Sequence, residues 1–591
     1  MKSDWARRYP PVGGLLICVL LAALVLPSAL DVPQTNPTTT PEIAPIPEDG
    51  EEVSAPQAGL ASLGIGGGAG AGSTTTTTVP SLPPGSGTTP SGKRCVGDPP
   101  RQTEDPLSPP CVAYFEGDNG GATYKGVTAE EIRVLWHIGA NEFGTSGTSR
   151  GNEQEPYGVY DVRDERYDSL NFRLLRLAER YFNDRFQLYG REVHFYLHVG
   201  AIFPEPEARR AEAAEGLEVD PFIVVDQAPG ATLEYISAFA DDDRLVFVES
   251  GGQELSVGLS EELYRRNPGR IWSFGPSLEQ RAASMVDYVC TAVVDSPVSF
   301  SGEAADMGKP RRLAIVGLHD DVGYPNYTAY TNIILDGIRS CGGDVVVPDG
   351  RSTQHCWTER FSPCPEEAVS EMARYQQAGV TTVIMTDNND LNMYNGAETV
   401  GYAPEFIVLG DGYGENTSGM QDTKTTAPNA ASHVRAVTSN VLSPADPADR
   451  PCYRAAKSAD PAAPDQDVRI FWCIMYPTMR TVFIGLQVAG PKLTPQAMDR
   501  GFHAIPPVRS TDPQTPACYF DPGDYSCTKD VTLMRWDPDG RTPGDATNQG
   551  CWRMTGGGER FLRGTWPDRQ IDDRASPDDP CSLIGPPSVT G

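Results

Sequence analysis

The chain has 591 residues, and its 48 Lys and Arg against 79 Asp and Glu give a net charge of -31. A field of that sign repels nucleic-acid backbones and anionic bilayer surfaces, which excludes both as partners of the folded body. The length is more than one hydrophobic core organises, so at least two domains are expected.

The first segment sets the compartment. Lys2, Arg7 and Arg8 precede an apolar run over residues 15–30, broken only by Pro27 and Ser28. That order of charge, apolar core and small residues is a secretory signal, so the mature protein is expected outside the cytoplasm, secreted or tethered to the cell surface. No small-x-small triplet precedes Asp31. The run also approaches the roughly 20 residues that span a bilayer, so cleavage and retention as a transmembrane anchor both stay open for residues 1–30. Cys18 lacks the setting of a lipidated cysteine. Residues 31–94 are rich in Pro, Thr, Ser and Gly and almost free of aromatic residues. Such a stretch cannot bury enough apolar surface to offset its ordering entropy, and it reads as a tether.

Residues 95–125 form a short cysteine-bearing lead-in, after which apolar runs alternate with helix-length amphipathic segments. Strands are expected over 132–138, 193–197, 222–225, 245–248, 313–318, 345–347, 382–385 and 405–409. Helices are expected over 170–186, 232–239, 327–340 and 366–378, with a short one near Leu391. This alternation predicts an α/β fold of parallel sheets covered by helices on both faces. Two such series, linked through residues 271–280, make two lobes. After Ser510 only 531–536 reads as a strand, and the remainder reads as a disulfide-rich, loop-rich extension over 511–591.

Setting aside Cys18 leaves twelve of the thirteen cysteines. In an oxidising compartment they are expected as disulfides. They fall in neighbouring couples: Cys95 and Cys111, Cys290 and Cys341, Cys356 and Cys364, Cys452 and Cys473, Cys518 and Cys527, Cys551 and Cys581. Neighbour pairing is the simplest arrangement, although spacing alone leaves the connectivity open. There is no Cys-x-x-Cys and no histidine cluster, so no metal is expected. No cofactor is expected either, for there is no Gly-x-Gly-x-x-Gly after a strand and no Walker loop. No Gly-x-Ser-x-Gly elbow between a strand and a helix is read in the chain and His-Glu-x-x-His is absent, which argues against a hydrolase.

Several stretches together resemble the branched-chain amino acid and amide group of type I periplasmic solute-binding proteins, similar to Leu/Ile/Val-binding proteins. They are Gly126-Val-Thr-Ala-Glu-Glu-Ile-Arg-Val134, Leu177-Ala-Glu-Arg-Tyr-Phe-Asn183, Tyr189-Gly-Arg-Glu-Val193 and Arg311-Arg-Leu-Ala-Ile-Val316. Asp321-Val-Gly-Tyr324, Gly401-Tyr-Ala-Pro404, Gly410-Asp-Gly412 and Gly485-Leu-Gln-Val-Ala-Gly-Pro-Lys-Leu-Thr494 complete the ordered set. The resemblance implies two Rossmann-like lobes joined by a three-strand hinge, with a ligand closed between them. It divides the body into a first lobe over 126–276, a second over 277–440 and a return to the first over 441–510. An insertion over 141–165 falls outside it. It further implies an amino acid, amide or short peptide as ligand and an ABC-type permease as a possible partner. Membrane contact is then confined to the N-terminal segment.

Strand ends supply the candidate ligand residues, since ligands of open parallel sheets sit at the carboxyl ends of the strands. In the first lobe these are Gln227, Thr232, Ser250 and Gly251; in the second, Tyr324, Asp387, Asp411 and Tyr413. Thr232 reads equally as a helix N-cap. Ser250 and the glycine N–H groups suit a carboxylate, and in the resembled family an acidic residue of the second lobe meets the ligand's ammonium. Around residues 136–144, His137, Asn141 and Glu142 replace the family's small-residue loop. Tyr196, Trp272, Trp357 and Trp472 read as packing residues. The alternative function is a surface interaction or structural protein that retains the binding fold without a transported ligand.

Overall fold

The computed structural model describes residues 117–139, 156–201, 204–228, 232–248, 259–318, 327–346, 352–354, 364–386, 390–409, 417–439, 450–505, 516–541, 549–555, 558–567 and 581–582, with single positions between Cys95 and Phe115 and at Pro507. All of them belong to one unit, Ala58–Gly591. The segment read as a signal or anchor, the whole stretch 31–94 read as a tether and residues 141–155 of the expected insertion lie outside the described residues. Among the described residues no helix is long and apolar enough to cross a membrane.

The first sheet grows around β1 (Glu131–Gly139), whose Ile132, Val134, Leu135 and Ile138 are buried. β2 (Gly158–Asp161) forms one edge, antiparallel to β3 (Glu192–Gly200), and β3 lies parallel to β1. On the other side of β1 come β4 (Ile223–Asp226), β5 (Leu245–Val248) and β6 (Ile271–Ser273), all parallel. The order is β2-β3-β1-β4-β5-β6. β5, Leu-Val-Phe-Val, is an unbroken apolar run buried throughout, as expected of a strand covered by helices on both faces. The connecting helices are α1 (Leu170–Arg185), α2 (Pro206–Leu217), α3 (Thr232–Asp241) and α4 (Glu261–Arg266). The strand β2 was not foreseen; it sits inside the stretch read as an insertion.

The second sheet follows α5 (Leu278–Tyr288). In chain order it contains β7 (Leu313–Leu318), α6 (Tyr327–Ser340), β8 (Ser352–Gln354), α7 (Pro365–Ala378), β9 (Thr382–Met385), α8 (Asp390–Val400), β10 (Glu405–Leu409), α9 (Thr417–Thr426) and β11 (Val434–Thr438). The expected strand over 345–347 reduces to a single bridge between Leu313 and Val345, and the edge strand is β8. The chain then returns to the first core through α10 (Pro451–Ala459), α11 (Cys473–Ala489) and α12 (Pro495–His503). There Phe182 stacks on Phe483 at 4.7 Å, and Trp272 meets Phe502 at 4.7 Å. Trp272 and Trp472 are fully buried in this core.

The tail differs from the loop-rich extension expected. β12 (Asp530–Asp537) pairs antiparallel with β11, and β13 (Cys551–Met554), β14 (Arg560–Leu562) and β15 (Cys581–Ser582) extend the sheet. Trp536 and Trp552 bring their rings to 5.4 Å beneath it. Five neighbouring cysteine couples are bonded: 95–111, 290–341, 452–473, 518–527 and 551–581. Cys364 is also disulfide-bonded, and Cys356 lies outside the described residues.

Two described stretches cross between the sheets, 274–277 and 525–529, and they are sewn together. Ser273 N–H donates to Tyr525 O at 2.8 Å, Cys527 N–H to Ser273 O at 2.8 Å, and Thr528 Oγ1 to Phe274 O at 2.7 Å. Ser277 caps α5 in a reciprocal box with Gln280. The same Gln280 amide accepts from Ser526 Oγ and donates to Asp524.

Candidate functional site

Strands β1, β3 and β4 stop at Gly139, Gly200 and Asp226, so their last residues line the carboxyl end of the first sheet. Register puts His137 level with both His198 and Asp226. Residues level across adjacent parallel strands share a face. This polar row is covered by Arg209 of α2 and Tyr235 of α3; all five residues are fully buried.

Hydrogen-bond chemistry assigns the protons. Arg209 Nη1 lies 3.2 Å from His137 Nε2, and a guanidinium only donates, so that nitrogen is the bare acceptor of a neutral ring. The remaining proton sits on Nδ1 and is donated to Asp226 Oδ1 at 2.8 Å. Burial, and after it the Arg209 charge, keeps His137 well below the usual imidazole range. Arg209 also donates to Glu212 at 2.6 Å and to Ala201 O at 3.0 Å. The Tyr235 ring stacks on His137 at 3.8 Å, while its hydroxyl lies 2.7 Å from His198 Nδ1. Gly200 is required beside them, since a Cβ there would lie 2.5 Å from His137 Nε2.

Burial pushes the Asp226 carboxyl up to about 7, with the Arg209 charge opposing. A carboxyl whose folded pKa exceeds its unfolded value binds more protons when folded, so its contribution falls as pH rises between about 4 and about 7. Asp226→Asn removes that titration while keeping the shape. The wild type should therefore lose stability relative to the variant across this interval, read as the difference between their melting points at each pH. A constant difference from pH 4 to pH 8 would refute this.

Gln227 lies at the end of β4 on the other side of the strand and is nearly buried. Trp136 Nε1 donates to its Oε1 at 3.2 Å, and its backbone N–H donates to His137 O at 3.0 Å. The indole is donor-only, which leaves the Gln227 amide nitrogen as the group able to donate elsewhere. Thr232 is the first residue of α3. Ser250, Gly251, Tyr324, Asp387, Asp411 and Tyr413 lie outside the described residues. In the chain, Ser250 follows β5 by two residues, as Asp387 follows β9 and Asp411 follows β10.

The His137–Asp226–Arg209 row was missed as a unit. Its signal in the sequence is the repeated His-x-Gly of His137-Ile-Gly139 and His198-Val-Gly200. That repeat becomes meaningful only once the two strands are placed in register. Among the described residues no group of acidic, histidine or cysteine side chains is arranged to hold a metal ion.

No family model matches the chain, and no curated protein matches it. Among solved structures, the chain is similar to an ABC-transporter solute-binding protein from R. palustris in complex with 4-hydroxybenzoate. That likeness is at 14% identity and TM-score 0.47, covering 74% of this chain and 98% of the other. A leucine-, isoleucine-, valine-, threonine- and alanine-binding protein from Brucella ovis, in a closed conformation, is similar at 11% identity and TM-score 0.49, covering 76% and 99%. An ABC transporter substrate-binding protein from Sphaerobacter thermophilus is similar at 14% identity and TM-score 0.47, covering 75% and 99%.

Proposed function

We propose that this chain is an extracytoplasmic solute-binding protein of the type I kind. It closes two α/β lobes over a small polar ligand, an amino acid, amide or short peptide, for uptake through an ABC permease or for sensing. The observation that carries the reading is the way the lobes are joined. One described crossing leaves the carboxyl end of β6 and the other enters β12 beside the carboxyl end of β11, the strand ends where open parallel sheets bind ligands. A ligand drives closure of such a hinge by binding the closed arrangement more tightly.

In this reading Gln227, Thr232, Ser250 and Gly251 serve the ligand from the first lobe, and Tyr324, Asp387, Asp411 and Tyr413 from the second. Gln227, held by Trp136, offers an amide donor to a ligand acceptor. The buried histidine does not suggest acid–base chemistry, because Arg209 occupies its second nitrogen.

Thermal unfolding of the oxidised protein against amino acids, amides, short peptides and sugars tests the proposal. A true ligand at 100 times its Kd stabilises the native state by about 2.7 kcal/mol. Ser250→Ala and Asp411→Ala should each reduce that shift. A panel without any shift would favour a surface protein that retains the fold without a solute.

A further inference from the structure

A second feature lies away from the carboxyl-end loops, at the amino end of the second sheet. Antiparallel pairing places Arg435 of β11 level with Arg535 of β12, and Arg535 level with Arg553 of β13. Three arginines therefore form one row on one face across three adjacent strands. Like charges directly opposite one another are destabilising, so each should carry a compensating partner. Two do. Arg435 donates to Glu405 at 3.2 Å and to Ser299 Oγ at 2.9 Å, and Arg553 donates to Asp537 at 2.5 Å.

The central one has no such contact, and the Glu405 and Asp537 charges act on it only from a distance, against burial and the Arg435 charge. Arg535 makes no hydrogen bond or ion pair among the described residues; its contact is with the Phe300 ring, whose centroid lies 3.2 Å from its guanidinium carbon. The Arg435 guanidinium stands 5.5 Å from the same ring, and His433 meets that ring edge-on at 5.2 Å. Arg311 is the third cation of the neighbourhood and shares Glu405 with Arg435. Three guanidinium groups thus face one buried carboxylate here, in a chain whose net charge is -31. Burial, and then the Arg435 charge, lowers Arg535 to about 10. A guanidinium with one face on an aromatic ring keeps its in-plane N–H donors for an oxyanion, the geometry for which arginine is suited.

We propose that Arg535, at the centre of this row, anchors a second binding site that takes a small oxyanion of the phosphate or sulfate class. The site is separate from the carboxyl-end loops: Arg435 stands three residues before the end of β11, about 10 Å of strand. It does not depend on the solute-binding reading.

The test is thermal unfolding of the full oxidised chain titrated with sodium phosphate or sodium sulfate, against sodium chloride at matched ionic strength. The wild type should show a rise in melting point with either oxyanion beyond that with chloride. Arg535→Gln should need at least tenfold more oxyanion for the same rise, and Arg535→Lys should fall between. The glutamine variant removes an in-register like charge, so it should fold at least as well as wild type at low salt, which circular dichroism checks. The proposal is overturned if phosphate and sulfate act no differently from chloride on the wild type, or if Arg535→Gln responds to them as the wild type does.

Discussion

Replacing Glu405 by leucine should lower the stability of the second lobe by about 3–5 kcal/mol, the cost of removing one partner from a buried ion pair. Glu405 is 1% exposed, with Arg311 at 2% and Arg435 at 3%. Arg311 grips the carboxylate at 2.7 and 3.2 Å through two nitrogens. The backbone N–H groups of Ser299 and Phe300 donate to it at 2.9 and 2.6 Å, and Thr382 Oγ1 at 3.0 Å. Loss of the carboxylate leaves two buried guanidinium groups without an anion, beside Arg535. Against the upward push of burial, the Arg311 hydrogen bonds and the Arg435 charge hold Glu405 at about 2. A depressed carboxyl contributes stability above its unfolded pKa and loses it as pH falls through the folded one, here from about 4.5 down to about 2. Denaturant titration with amide exchange read in β9, β10 and β11 measures the loss. A change under about 1 kcal/mol would mean that solvent reaches and compensates the arginines.

The second large effect is expected from Arg209→Leu in the first lobe, again about 3–5 kcal/mol. Arg209 is fully buried and joins Glu212, the Ala201 carbonyl and His137 Nε2. Its removal strands Glu212 and leaves the His137 acceptor without a donor, while Asp226 loses its nearest favourable charge. The damage should concentrate where β1, β3 and β4 end. Exchange of the amides at residues 136–139 and 198–201 should accelerate more than exchange in the second sheet. If the solute-binding reading holds, ligand affinity should fall as well, because Gln227 hangs from the backbone of His137. Uniform acceleration over both lobes, or none, would refute a local role.

Much of the architecture was legible because its strands are buried on both faces. The runs at residues 245–248, 313–318, 382–385 and 405–409 are strands with the expected bounds, and α6 spans the expected residues 327–340. Local chemistry suffices there: apolar β-branched runs and 3.6-residue periodicity are properties of single segments. Neighbouring cysteines paired for the same reason, since short loops close at little entropic cost. What local pattern does not carry is pairing. The four-residue strand at Gly158–Asp161 exists only because β3 offers it an edge, and the strands after β12 exist only because β11 leaves one open.

The sites divide the same way. Composition and the pattern of apolar runs alone determined an α/β chain with candidate ligand residues after its strands. Which polar side chains meet was decided by register. His137, His198 and Asp226 are far apart in the chain, and Arg435, Arg535 and Arg553 come from both sides of the return to the first core. A one-residue slip would send each to the opposite face. Only the tertiary structure could bring three arginines level with one another, because the energy that holds such a row comes from partners such as Glu405, Asp537 and Phe300 on other segments.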